Sequence, residues 1–315
     1  MPHRAVGGKG LWRLDEPDWS LRSRGVRMSG MAWGLVSNCF KSQLEAGESL
    51  CDLIERAVGL GYRVMELRQG CLGEYESHGE LLPDSLRLAE LSSRCPGVEW
   101  DLALEYSCFD PTTTGLDAVF EAGCRSIQSL ATGQTPHLRL VDLTTDHTRC
   151  DPSESAATVV RLLDRVVAVG GVLSIEHSRE SWAWFAEVFA RAGDLAQADR
   201  GSLKMCFDPC NLLSAGDRPD PARVTEGLDP DRVSMIHIKQ RRDGRAWPAV
   251  AAGEIDWADV IAAMGRMGGG RGYAGPWLLE VAPSRDIWEF LEGSRVYLGR
   301  LGLGAKRDGG EDACE

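Results

Sequence analysis

Four short stretches of this chain each close an aliphatic or β-branched run on a side chain that can ligate a metal. They are SIEH, ending in Glu176–His177, CFDPCN around Asp208, IHIK around His237 and LLEV around Glu280. Any one of these residues alone is more often a structural polar group than a ligand. Four of them at the ends of four successive runs suggest one site. An unpaired charge buried in an apolar interior is costly, and a shared cation removes that cost.

The elements that must position these residues follow from periodicity. Alternating or continuous apolar runs predict strands near Ala32–Cys39, Arg63–Arg68, Val98–Glu105, His137–Leu143, Val172–His177, Leu203–Asp208, Val233–Lys239 and Pro276–Val281. Between them lie helical stretches such as Leu50–Val58, Ser155–Val169 and Leu116–Ala131. In the last, Leu116, Val119, Phe120, Cys124, Ile127, Leu130 and Ala131 fall on one face at helical spacing. Eight strand-helix units predict an α/β fold of the (β/α)8 TIM-barrel type, one domain over residues 28–304, whose active site lies at the C-terminal strand ends. Alternation places His237 with Lys239 on one face, Cys206 with Asp208 on another, and Glu66 with Arg68 on a third.

Composition bounds the function. The 315 residues are 43% hydrophobic and 26% charged, ordinary for a globular protein, and the formal net charge of -12 argues against a nucleic-acid partner. A small-molecule substrate fits better. The ten cysteines are scattered with no CxxC pair, which favours reduced thiols in a cytoplasmic protein. Residues 1–27 contain no continuous apolar segment of a signal peptide and nothing in the chain reads as a membrane span. That segment reads as an N-terminal extension, and the polar residues 305–315 as a disordered tail.

The order Glu, Asp, His, Glu on strands five to eight, with DPCN, IHIK and the later GEIDW at Gly253–Trp257, resembles the xylose isomerase-like TIM-barrel superfamily, and within it the sugar phosphate isomerase and ketose epimerase branch. The resemblance runs from about Trp33 to Gly302 and is carried mainly from Val172 onward. It implies that Glu176, Asp208, His237 and Glu280 hold one divalent metal ion. One histidine with three carboxylates favours Mn, Mg or Co, and Zn is also compatible. The resemblance further implies catalysis by Glu176 and Glu280 on opposite sides of a carbon, one removing a proton from a metal-stabilised enediolate precursor and the other returning one. It allows pairing of copies through barrel faces into a homo-oligomer.

Other residues carry alternatives. Arg68 and Glu66 at the end of strand two are candidates for substrate binding, against an internal ion pair. Lys239 binds a substrate oxygen or pairs with Glu280. Asn211 stands where several relatives carry a substrate-touching histidine, and it cannot titrate. His177 should point away from Glu176 into the structure. Glu105 is a weaker candidate, and Arg241 with Arg242 could reach an anionic group or lie on a solvated loop. Trp33, Trp182, Trp184 and Trp247 offer apolar pocket walls, or simply packing. The run MGGGRGYAG from Met267 to Gly275 lacks the ending of a phosphate loop and belongs at the opposite face of the barrel. The expected activity is a sugar isomerase or ketose epimerase. A dehydratase of inosose or dehydroshikimate type shares the same enediolate, and a non-catalytic sugar-binding subunit is the third reading. The endonuclease IV branch needs several more histidines than the six in this chain.

Overall fold

Each of the eight apolar runs becomes a strand, and their parallel pairing closes a barrel. The computed structural model describes residues 32–77, 79–144 and 150–303, so both terminal segments lie outside the described residues. The strands are β1 (Trp33–Val36), β2 (Val64–Arg68), β3 (Glu99–Glu105), β4 (His137–Val141), β5 (Val172–Glu176), β6 (Leu203–Phe207), β7 (Val233–Ile238) and β10 (Trp277–Leu279). Their cyclic order is β1-β10-β7-β6-β5-β4-β3-β2, and β8 (Arg241–Arg242) and β9 (Arg245–Ala246) form a separate hairpin after β7. The helices are α1 (Lys41–Glu45), α2 (Leu50–Gly59), α3 (Ser85–Arg94), α4 (Ala118–Leu130), α5 (Pro152–Val167), α6 (Trp182–Ala196), α7 (Pro221–Gly227), α8 (Trp257–Met264), the short α9 (Met267–Gly270) and α10 (Ile287–Arg300). Among the described residues no helix is long and apolar enough to cross a membrane.

Aspartates set where many helices start. Asp84, Asp117, Asp151, Asp220 and Asp256 accept backbone N–H bonds in the first turns of α3, α4, α5, α7 and α8. The Asp117 cap corrects one expectation: Leu116 falls before α4 and is 63% exposed, whereas Phe120, Cys124, Ile127 and Leu130 are buried on the face toward the barrel. The paired strands β4 to β7 and β10 also end one or two residues earlier than their apolar runs. Asp208, Lys239 and Glu280 therefore sit just past the last paired residues of β6, β7 and β10, where the backbone turns into the active-face loops. In α9, Gly268 and Gly269 adopt φ of 56° and 72°, values that favour glycine, in a turn that precedes β10 and is remote from those strand ends.

Two apolar populations exist. The large one fills the space between strands and helices, while a small cluster of Val36, Val64, Cys206, Met235 and Leu278 lies apart from it. The rest of the barrel interior is polar: Glu66, Asp101, Arg139, Ser174 and His237 are each at most 1% exposed. On the lower side of this layer Asp101 Oδ1 lies 3.3 Å from His137 Nδ1, and His137 Nε2 lies 2.6 Å from Ser174 Oγ, which donates to Ser234 Oγ at 2.8 Å. Burial pushes His137 down to about 4, so this chain runs through a neutral imidazole. All nine described cysteines are free thiols.

Candidate metal and acid–base site

Strand register brings the four sequence-predicted ligands together. Glu176 ends β5, Asp208 follows β6, His237 lies near the end of β7 and Glu280 follows β10. Their ligand atoms all lie within 4.8 Å of one another, on side chains no more than 6% exposed. His237 Nδ1 faces inward on this group, 2.9 Å from Glu280 Oε2 and 3.5 Å from Glu176 Oε1. Its other nitrogen, Nε2, lies 3.2 Å from Glu66 Oε2 and 3.4 Å from Cys206 Sγ. A carboxylate behind an imidazole fixes the ring and makes its free nitrogen a better ligand.

Arg139, which sequence reasoning missed, ties the layer below to the cluster. Its guanidinium bonds Glu66 through Nε and Nη2, and Nη1 lies 2.7 Å from Glu176 Oε2. The signal was present: in HLRLV, alternation puts Arg139 on the same face as His137 and Val141. Glu66 consequently backs His237 and is fully buried, away from any substrate. Of the two readings of Glu66, substrate binding or an internal ion pair, the structure gives the ion pair, with Arg139 as the partner. Arg68 instead extends to Glu280 Oε1 at 3.4 Å.

The two glutamates are held in matching ways. Asn211 Nδ2 donates to Glu176 Oε1 at 3.0 Å and to the His177 carbonyl at 2.9 Å. Asn38 Nδ2, also missed from sequence, donates to Glu280 Oε1 at 2.9 Å. Asp208 Oδ1 accepts the backbone N–H groups of Cys210 and Asn211, leaving Oδ2 directed into the cluster. Lys239 Nζ lies 2.6 Å from both Asp208 Oδ2 and Glu280 Oε2 and 3.7 Å from Glu176 Oε1. Both glutamates stay ionised: burial raises their pKa, but for Glu176 the charges of Arg139, Lys239 and His237, and for Glu280 those of Lys239 and His237, outweigh it and hold them low. Burial pushes Asp208 up despite Lys239. His237 is raised well above its ordinary value, because Cys206, Glu66, Glu176 and Glu280 outweigh the opposing effect of burial.

This arrangement fits a divalent ion. Asp208 Oδ2, His237 Nδ1 and Glu280 Oε2 converge on one point, where Lys239 Nζ lies 2.6 Å from both carboxylate oxygens, so a bound ion would take the place of that ammonium. Four carboxylates, Glu66, Glu176, Asp208 and Glu280, face the permanent cations Arg139, Lys239 and, at the rim, Arg68, and the protonated His237 supplies the remaining positive charge. A divalent ion would take the place of the His237 proton and free Nδ1 as a ligand.

Above the cluster opens a cavity of about 320 Å³, lined among others by Arg68, Glu176, Asn211, Lys239, Arg241 and Glu280. Arg242 turns away to stack on Trp247 at 4.3 Å, and Glu105 lines a neighbouring cavity with Tyr106 and Asp117. Trp33 is 3% exposed in the core, while Trp184 packs edge-on to Phe109. His177 points away from Glu176, as alternation expects, into Trp182, Phe185 and Phe207. Burial lowers it to about 4, so it is neutral.

The loop after β7 is clamped at its base by Gln240, which is fully buried. Its Nε2 donates to the carbonyls of Ala251 and Ile255, and its Oε1 accepts from the N–H groups of Arg241 and Ile255. Gly253 packs so closely here that a Cβ would meet Gln240 Cδ at 2.5 Å.

Beside the cavity, Glu180 is 6% exposed and burial raises it to about 7. Its folded pKa exceeds the ordinary carboxylate value, so the folded state holds the proton more tightly and stability falls as pH rises through this window. Glu180→Gln should therefore stabilise the protein above pH 7 by about 3 kcal/mol and change little below about pH 4. Denaturant melts at the two pH values test this, and a pH-independent difference would contradict it.

No protein-family model and no curated protein matches the chain. Solved structures do match. The IolI protein with a bound zinc atom aligns with TM-score 0.63 at 14% identity, covering 87% of this chain and 97% of its own. A xylose isomerase domain protein from Alicyclobacillus acidocaldarius gives TM-score 0.61 at 18% identity, over 88% of this chain and 100% of that one. An L-ribulose 3-epimerase gives 0.56 at 15%, over 87% and 94%. At these identities the likeness shows the fold alone, a (β/α)8 TIM barrel.

Proposed function

We propose that the chain is a divalent-metal-dependent sugar isomerase or ketose epimerase, with Glu176, Asp208, His237 and Glu280 as the metal ligands and Glu176 and Glu280 as the proton-transfer pair. The observation that carries this reading is the matched holding of the two glutamates, each tethered by an asparagine, around His237 Nδ1 and Asp208 Oδ2. Fold alone would not carry it, since one barrel hosts many chemistries. The zinc atom in the IolI protein and the epimerase activity named for another neighbour agree with it.

A divalent ion held here supplies a Lewis acid that acidifies the C–H beside a ketose carbonyl. The protein does the rest. Both glutamates are ionised at rest, so either can take that proton, and the opposite one can deliver a proton to the other face only after the Lys239 ammonium has handed it one and been reprotonated by the first. Lys239 contacts both and gives the proton a route back between them. Arg139 and Asn211 fix the Glu176 carboxylate, while Asn38 and Arg68 fix that of Glu280.

Incubation with a panel of ketoses and inososes in deuterated water should place deuterium at a carbon next to the carbonyl with the product otherwise isomeric. A product lighter by one water moves the assignment to a dehydratase, and absence of exchange with every sugar removes the catalytic reading. Metal content provides a separate check. After resupply with Mn the protein should hold one divalent ion per chain, and chelation should lower its stability by about 3 kcal/mol for an ion that had been present at 100 times its Kd. Less than one ion per chain after resupply would overturn the ligand assignment.

A further inference from the structure

The wall of the cavity over β5, β6 and β7 is cationic in a way the carboxylate cluster does not require. Lys239 is consumed by Asp208 and Glu280, and Arg68 leans on Glu280. Arg179 and Arg241 are different. Arg179 lines the cavity, is exposed, and forms no ion pair among the described residues. Arg241 is held in place without being neutralised at close range: Nη1 donates to Ser214 Oγ at 2.8 Å, Nη2 donates to the Gly244 carbonyl at 2.9 Å, and Glu254 Oε2 stands 3.9 Å from Nε. Ser178 and Ser214 line the same cavity beside them.

We propose that the substrate carries an anionic group, a carboxylate or a phosphate, seated between Arg179 and Arg241 with the serine hydroxyls beside it. This rests on the reading above, in which the reacting carbon lies between Glu176 and Glu280. Planar guanidinium forks match the oxygens of either anion, and a fork anchored before binding loses little freedom when it engages. Neutral sugars give Arg179 no such role. The chain as a whole carries a net charge of -12, which repels anions at long range, so a local concentration of cations is needed to draw one into this cavity. Val141 and Leu143, at and just past the end of the neighbouring β4, add apolar surface to the lining for a hydrocarbon edge. A volume of about 320 Å³ sits at the small end of ligand pockets, which points to a compact acid rather than an oligosaccharide.

Calorimetric titration of the full-length, metal-loaded protein with glycerol, glycerate and glycerol 3-phosphate tests this directly. At least one anion should bind about tenfold or more tightly than glycerol, and weaken with added salt; which of the two does so distinguishes carboxylate from phosphate. Arg179→Ala should cut that affinity by about tenfold or more, with no effect on folding because the side chain is exposed. Arg241→Lys, which keeps charge but loses the fork, should weaken it as well. Equal affinity for the three probes, no measurable anion binding, or anion binding unchanged in both variants overturns the proposal. The last outcome assigns the anion to the metal alone. Titration needs no turnover, so loss of deuterium exchange and loss of anion binding report separately on the reaction and on this subsite.

Discussion

Glu176→Gln and Glu280→Gln should each abolish exchange of the substrate's hydrogen with solvent, a loss of at least roughly 10²–10⁴-fold in kcat. Glutamine keeps the shape and an acceptor oxygen for Asn211 or Asn38, so the tether survives. It cannot take a proton at the working pH. It also withdraws one negative charge from the ligand set, so the metal should be held more weakly. Metal content of each variant, measured beside its exchange rate, separates the two effects. A fully loaded variant without exchange has lost its base. Full exchange in either variant would contradict the two-base assignment.

The largest loss of stability should come from Arg139→Met. The guanidinium is 1% exposed and is shared between Glu66 and Glu176, so its removal leaves two buried carboxylates uncompensated. Breaking a buried pair by deleting one partner costs roughly 3–5 kcal/mol. Burial raises the pKa of Glu66, but Arg139 and His237 outweigh it and hold the carboxyl low. The stability from that pairing is therefore present above the ordinary carboxylate pKa and is lost as pH falls through the lower folded value. The gap between wild type and variant in denaturant melts should accordingly be full at neutral pH and narrow in acid. Adding Glu66→Gln to Arg139→Met should recover part of the loss, as expected for neighbours sharing one network. Strictly additive losses would mean that Arg139 acts through packing instead.

How much of this was legible in the chain depends on distance along it. The eight strands were, because each is a local apolar run, and so was the grouping of the four candidate ligands, because each closes such a run. Asp208 and Glu280 lie just past the paired residues, at the ends of the runs as read. What could not be read is pairing across the barrel. Arg139 and Glu66 are 73 residues apart and meet only once β2 and β4 face the same interior. Asn38 and Glu280 are 242 apart and meet because β1 closes against β10. Glu66 thus had the right address and the wrong partner. Arg241 and Arg242, indistinguishable as neighbours, separate only when the hairpin sends one to Ser214 and the other to Trp247.

The Gln240 clamp has a consequence for how such a pocket diversifies. Four hydrogen bonds from one buried amide fix where the excursion after β7 leaves the barrel and where it returns, at Arg241 and Ile255. Between those points Trp247 and Val250 are tied back to the barrel, and the exposed hairpin tip around Asp243 and Gly244 projects from that fixed neck. Lengthening a loop with pinned ends adds little entropic penalty, growing only with the logarithm of its length. Insertions and exchanges in the tip can therefore reshape the pocket mouth while the strand register beneath stays as it is. The clamp makes the segment an exchangeable cassette, in which new specificities can be tried without re-solving the barrel.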